Sequence, residues 1–163
     1  MKNAPQQAQI ATLAGAILIE ARNAAIYESL AQIFQGYDDS VTAIFRELAA
    51  EERRHGNELE ESYRQRFGPP PSSAEAPKEV IEAPDLDDPE ALIFDSMTAE
   101  QALEAGLHAE ESAREFYRRE VSRTTDPELQ KTYRQLAEFE ETHVRVLTEK
   151  LAEKRRSRNP ALR

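Results

Sequence analysis

Leu48-Ala49-Ala50-Glu51-Glu52-Arg53-Arg54-His55 returns, 88 positions later, as Leu136-Ala137-Glu138-Phe139-Glu140-Glu141-Thr142-His143. In both stretches a Glu stands three residues before a His. Side chains three apart on a helix share a face, so Glu52 points with His55 and Glu140 with His143. The apolar neighbours Phe45, Leu48 and Leu59 in one copy, and Tyr133, Leu136 and Leu147 in the other, fall on the same stripe and turn the polar pairs toward a core. A second pattern precedes each stretch: Glu20 with Tyr27 seven residues on, and, 90 positions later, Glu110 with Tyr117. Glu20 sits among Leu13, Ile17 and Tyr27, and Glu110 among Leu103, Leu107 and Tyr117, again at helical spacing. Two helical hairpins of one kind are expected. Four carboxylates and two imidazoles brought to the centre of a helical bundle make a two-metal site.

Composition narrows the alternatives. The chain has 163 residues, enough for one real core but few for two. Hydrophobic residues make up 39% and charged residues 32%, with 5 Gly and no Trp, a balance that suits amphipathic helices. Without Cys there is no disulfide, thiolate nucleophile, zinc ribbon or Fe-S cluster, so any metal must be held by Glu, His, Asp or water. A net charge of -10 repels phosphates and argues against nucleic acid. The basic cluster Lys154-Arg155-Arg156-Ser157-Arg158 reads as a solvated helix end. Ala11 to Ile19 carries no charge but is too short to cross a bilayer. Its Leu13 and Ile17 are repeated as Leu103 and Leu107 inside the chain. A cytoplasmic protein with no membrane partner is expected.

The punctuation divides a single domain, 1-163. A first helix from about Ala4 to Gln35 stops at Gly36, and a second follows the capping group Asp38-Asp39-Ser40 and ends at Phe67 before Gly68-Pro69-Pro70-Pro71. Residues 68-97 hold most of the nine prolines and read as a long crossover, in which Leu92-Ile93-Phe94 is expected to dock a short helical turn. Thr98-Ala99-Glu100-Gln101 is a capping box that opens a third helix, to about Arg123. Asp126-Pro127, a cap followed by proline at the first helical position, opens a fourth, to about Arg156. Hairpins 4-67 and 98-156 are thus joined by the crossover, with a basic tail over 157-163.

Buried without partners, four glutamates would each cost several kcal/mol. Two divalent cations would cancel their charge. The spacing predicts Glu52 and Glu140 as bridges, Glu20 and Glu110 as ligands to one metal each, and His55 and His143 as one nitrogen each. Hard oxygens with a few imidazoles suit iron or manganese, and zinc can also occupy such a set; iron is preferred because these donors support a ferrous/ferric couple. Tyr27 and Tyr117 either hydrogen-bond a ligand carboxylate or are plain core tyrosines. His108 has no counterpart, since Leu18 stands in its place, and reads as a surface or helix-helix residue. Glu51, Glu111 and Glu141 adjoin ligands but point about 100° away, toward solvent.

With these residues in hand, the chain resembles the ferritin-like superfamily of di-iron carboxylate proteins and, within it, the rubrerythrin-like branch. The likeness runs from Ala11 to Leu151 and rests on Glu20 through Tyr27, Leu48 through His55, Glu110 through Tyr117 and Leu136 through His143. It implies an all-α, antiparallel four-helix bundle of two hairpins. It also implies a di-iron centre, held by the six residues named, that reduces hydrogen peroxide or oxygen with ferrous iron. Two features depart from the pattern. A Cys-free chain has no rubredoxin domain, so a separate electron-donor protein is expected. The extra glutamate that rubrerythrins place near the third-helix ligand is replaced by Gly106, Leu107, Ala113 and Arg114.

Three readings remain: a di-iron oxidoreductase, expected as a homodimer; a ferroxidase for iron storage or handling; and a metal-stabilised helical module without turnover. Against storage, only Asn159-Pro160-Ala161-Leu162-Arg163 follows the basic cluster, and Met1 and Met97 lie off the helical faces that would ligate a haem.

Overall fold

In the computed structural model, which describes residues 4-70 and 97-158, four helices account for nearly every described residue: α1 (Ala4–Phe34), α2 (Asp39–Phe67), α3 (Ala99–Arg123) and α4 (Pro127–Arg158). The turn expected at Leu92-Ile93-Phe94, most of the crossover and the end of the basic tail lie outside the described residues.

Local chemistry sets the boundaries. Gly36, at φ 77, takes the left-handed conformation that a side chain resists, and turns the chain out of α1. Asp38 caps α2 by accepting from the Val41 backbone at 3.2 Å. The capping box of α3 is complete: Gln101 N–H donates to the Thr98 hydroxyl at 3.2 Å, and Thr98 N–H donates to the Gln101 side chain at 2.9 Å. At the head of α4, Asp126 Oδ1 accepts from the backbone of Glu128 and Leu129, each at 3.0 Å.

Contacts between helices fix the packing. Tyr27 meets Glu110 and Tyr117 meets Glu20, so α1 and α3 run antiparallel. His55 stacks near Phe139 while His143 meets Glu51, so α2 and α4 do the same. Hairpins α1–α2 and α3–α4 therefore lie side by side as an antiparallel four-helix bundle, the architecture expected of the ferritin-like class.

The cap aspartates also tie the hairpins together. Lys154 of α4 reaches Asp38 at 2.5 Å, and Arg66 of α2 reaches Asp126 at 2.9 Å. Both members of this clamp repeat at the same 88-residue offset as the Glu and His pairs. From Arg155 to Arg158 the C-terminal basic cluster is exposed, as expected of a solvated helix end, although Arg155 pairs with Glu104 and Arg158 with Glu100 at 3.3 Å.

Two apolar clusters fill the interior. One gathers Leu13, Ile17, Leu59, Tyr63, Phe116, Tyr117, Leu129, Tyr133 and Leu136; the other gathers Ile26, Tyr27, Leu30, Phe34, Phe45, Leu48, Leu103, Leu147 and Leu151. The two are near copies. Tyr27 stacks on Phe45 with centroids 5.8 Å apart, and Tyr117 stacks on Tyr133 at 6.2 Å. By length and composition the stretch Gln6–Phe34 would pass as a membrane span, longer than the charge-free run alone indicates, but its apolar residues largely pack into these clusters.

Candidate metal centre

Between the apolar clusters lies a wholly polar layer. Glu20, Glu52, Glu110 and Glu140 are each 0% exposed, His55 is 1% and His143 is 2%. They arrive in the order the helical period dictates, one glutamate from α1 and one from α3, and a Glu-His pair from each of α2 and α4. All six side chains singled out in the sequence meet here.

The donors form two overlapping groups: Glu20, Glu52, His55 and Glu140 in one, and Glu52, Glu110, Glu140 and His143 in the other. Within each group one ligand atom per residue lies within 4.8 Å of the rest. Glu52 and Glu140 belong to both. His143 Nδ1 stands 3.0 Å from Glu52 and 3.4 Å from both Glu110 and Glu140, and His55 Nδ1 stands 3.3 Å from Glu20. Despite this crowding, Glu20 Oε2, both oxygens of Glu52 and of Glu140, Glu110 Oε2 and both Nδ1 atoms lack a hydrogen-bond partner among the described residues. A buried polar atom left without a partner costs about 1–3 kcal/mol. Eight of them converging on one layer is the arrangement of a donor set built for cations, and these hard oxygens and imidazoles fit iron, manganese or zinc.

The remaining oxygens of the outer glutamates are held by tyrosines, crosswise. The Tyr27 hydroxyl donates to Glu110, and the Tyr117 hydroxyl donates to Glu20. Each tyrosine therefore serves the glutamate of the other half, and burial with the neighbouring carboxylate charges holds both phenols protonated far above their usual range. Gly106 makes this possible for Tyr27: a Cβ there would sit 3.1 Å from the tyrosine ring.

Charge is distributed unevenly across the layer. Burial pushes Glu52 well above the ordinary carboxylate range, with His143 opposing and the charges of Glu110 and Glu20 adding to the rise. Burial, then the charge of Glu110, raises Glu140 in the same way. Burial pushes Glu110 upward too, but Glu140 and His143 outweigh it and leave Glu110 lowered. His143, which burial alone would depress, is held well above its usual value by Glu110, Glu140 and Glu52. Without metal the layer thus keeps protons that cations would displace.

Several neighbours differ from the sequence-based picture. Glu51, expected to face solvent, brings Oε2 to 2.6 Å from His143 Nε2. Glu141 does face outward and binds Arg114 and Arg118 at 3.0 Å each; Glu111 and His108 are exposed. Arg54 lies 3.2 Å from His55 Nε2, and Phe139 stacks beside His55 at 4.7 Å. Asn23, fully buried one turn beyond Glu20, has no hydrogen-bond partner for its amide among the described residues, and its repeat-equivalent is Ala113. These contacts cross between hairpins or depend on rotamer, so helical spacing alone does not reveal them. The one signal in the sequence is where the two copies differ.

One cavity lies away from the cluster. It measures about 520 Å³ and opens at one end of the bundle between Thr12, Phe116, Glu120, Leu129 and Tyr133.

The sequence matches the Rubrerythrin family model over residues 12–151. Solved structures share the fold, two of them as follows. An uncharacterized conserved protein from Magnetospirillum magnetotacticum aligns with a TM-score of 0.70 at 23% identity, over 88% of this chain and 93% of that one. A hypothetical protein from Pyrococcus furiosus aligns at 0.67 and 25% identity, over 88% of this chain and 87% of the other. No curated protein matches the chain.

Proposed function

The chain belongs to the rubrerythrin family, and from that premise we propose that its buried layer holds two iron ions and reduces hydrogen peroxide, or oxygen, at their expense. The observation that supports this most is the pair of overlapping donor groups sharing Glu52 and Glu140. In this reading Glu52 and Glu140 would be shared by the two metals, Glu20 and His55 would complete one position, and Glu110 and His143 would complete the other.

Bound iron supplies the two electrons that peroxide reduction requires and the Lewis acidity that polarises the oxidant. The protein does the rest. Tyr27 and Tyr117 fix one oxygen of each outer glutamate, leaving its partner oxygen to turn toward the metal. The apolar clusters on either side keep bulk water from the layer, which strengthens every charge interaction in it. Reduction of peroxide to two waters also takes up two protons, and these come from outside the ligand set, because the raised proton affinity of Glu52, Glu140 and His143 belongs to the metal-free layer. The 163 residues contain no Cys and hence no thiolate redox centre, and in this reading a donor protein restores the electrons.

The test is an anaerobic ferrous titration of the metal-free protein followed by peroxide. Ferric absorption in the near ultraviolet, appearing with one peroxide consumed per two ferrous ions, is the expected result. Tight metal binding without any ferric absorption would instead mark a structural site.

A further inference from the structure

The outer nitrogens of the two histidines face opposite chemistry. His143 Nε2 lies 2.6 Å from Glu51 Oε2. A carboxylate only accepts, so this nitrogen carries a proton, and the Nδ1 lone pair of the neutral ring is left for the cluster. His55 Nε2 lies 3.2 Å from a guanidinium nitrogen of Arg54. Arginine only donates, so this nitrogen must accept, and the proton of the neutral ring is forced onto Nδ1, the atom that faces Glu20. One imidazole is set up as a ligand and the other is set against it.

The difference traces to the repeat. Glu51 in the first copy corresponds to Phe139 in the second, and Arg54 to Thr142. Across the bundle, residue 51 meets His143 and residue 139 meets His55. Where the first half offers a carboxylate to its partner's histidine, the second offers an aromatic ring at 4.7 Å, with the Arg54 guanidinium 5.4 Å from its centre. Arg54 also has somewhere to go: Glu58, one turn on, already lies 3.4 Å away.

We propose that the two metal positions are unequal, that Glu51 makes the His143 position the tighter one, and that Arg54 weakens the His55 position until it swings away toward Glu58. Glu51 and Arg54 are positioning residues that act through the histidines. The inference rests on reading the layer as a two-metal site, and it adds an order of filling and a residue that controls the second step.

Titration of metal-free protein with cobalt(II), followed by calorimetry and visible absorption, tests it. Wild type should show two binding events. Glu51→Ala should weaken the tighter event by about tenfold, the scale of a lost outer-shell partner, and leave the looser one in place. Arg54→Ala and Phe139→Glu should each tighten the looser event by a similar factor. Arg53→Ala removes the same charge one residue away and is the control; it should move neither event. Nitrogen-15 spectra of the metal-free protein should place the His55 proton on Nδ1, and on Nε2 in Arg54→Ala. Two equal events in wild type, a His55 proton on Nε2, or an Arg53→Ala effect matching that of Arg54→Ala would overturn the inequality while leaving two-metal binding intact. No binding of cobalt at all would overturn both. The substituted side chains are 40–57% exposed at Glu51, Arg53 and Arg54, and Phe139 is 39% exposed, so the fold should tolerate each change.

Discussion

Glu52 is wholly buried, belongs to both donor groups, and among the described residues has no hydrogen bond on either oxygen. A group in that position contributes little to the metal-free fold, and its removal should be felt when metal arrives. Glu52→Gln is therefore expected to leave thermal stability of the metal-free protein within about 1 kcal/mol, because burial raises the proton affinity of the carboxyl and an amide is nearly isosteric with its protonated form. The same variant should lower bound metal to about one ion or less per chain by elemental analysis. Full two-metal occupancy would move the bridge to another residue. The meeting of all six side chains was legible from the two offsets, since burial follows from helical period and a repeated polar pattern on a buried stripe is informative. The partners of the outer imidazole nitrogens were not legible. Glu51 looks solvent-facing on its own helix, and its contact with His143 depends on how α2 lies against α4, which no single-helix period encodes.

The clamps at the bundle ends act between elements. Asp126 satisfies two backbone N–H groups at the start of α4 and anchors Arg66 of α2, and Asp38 satisfies one at the start of α2 and anchors Lys154 of α4. Asp126→Ala removes both services. Loss of such a cap costs about 0.5–2 kcal/mol, and the part-buried ion pair adds to it, so unfolding in urea should show a loss near the top of that range. Asp126→Asn, which keeps the cap and lowers the charge, should recover most of it. Helix ends could be anticipated to within about two residues because the capping box, the Asp-Pro start and Gly36 each carry a local cause. The clamps could not, although both repeat at the 88-residue offset, because charged pairs on a helix carrying many of both signs do not announce their partners.

For the molecule as a whole, the polar layer sets the dependence of stability on pH. Folding raises the proton affinity of Glu52, Glu140 and His143 above their ordinary values, so the metal-free folded state binds more protons than the unfolded chain. Stability is then fully present below the ordinary carboxylate value of 4.5 and is lost as pH rises. Asp38 and Asp126 act in the opposite sense, being lowered, and matter only as pH falls below about 4. The melting temperature of metal-free protein is expected to decline from about pH 5 to about pH 8, and saturating metal should flatten that slope while releasing protons on binding. A melting temperature that rises over this interval without metal would contradict the assignment of charge in the layer. The most direct test of the account is anomalous diffraction at the iron edge from crystals loaded anaerobically with ferrous iron. Two peaks are predicted between the apolar clusters, one beside Glu20 and His55, the other beside Glu110 and His143, with Glu52 and Glu140 reaching both. Iron found only on the surface, or no peak within the layer, would contradict it.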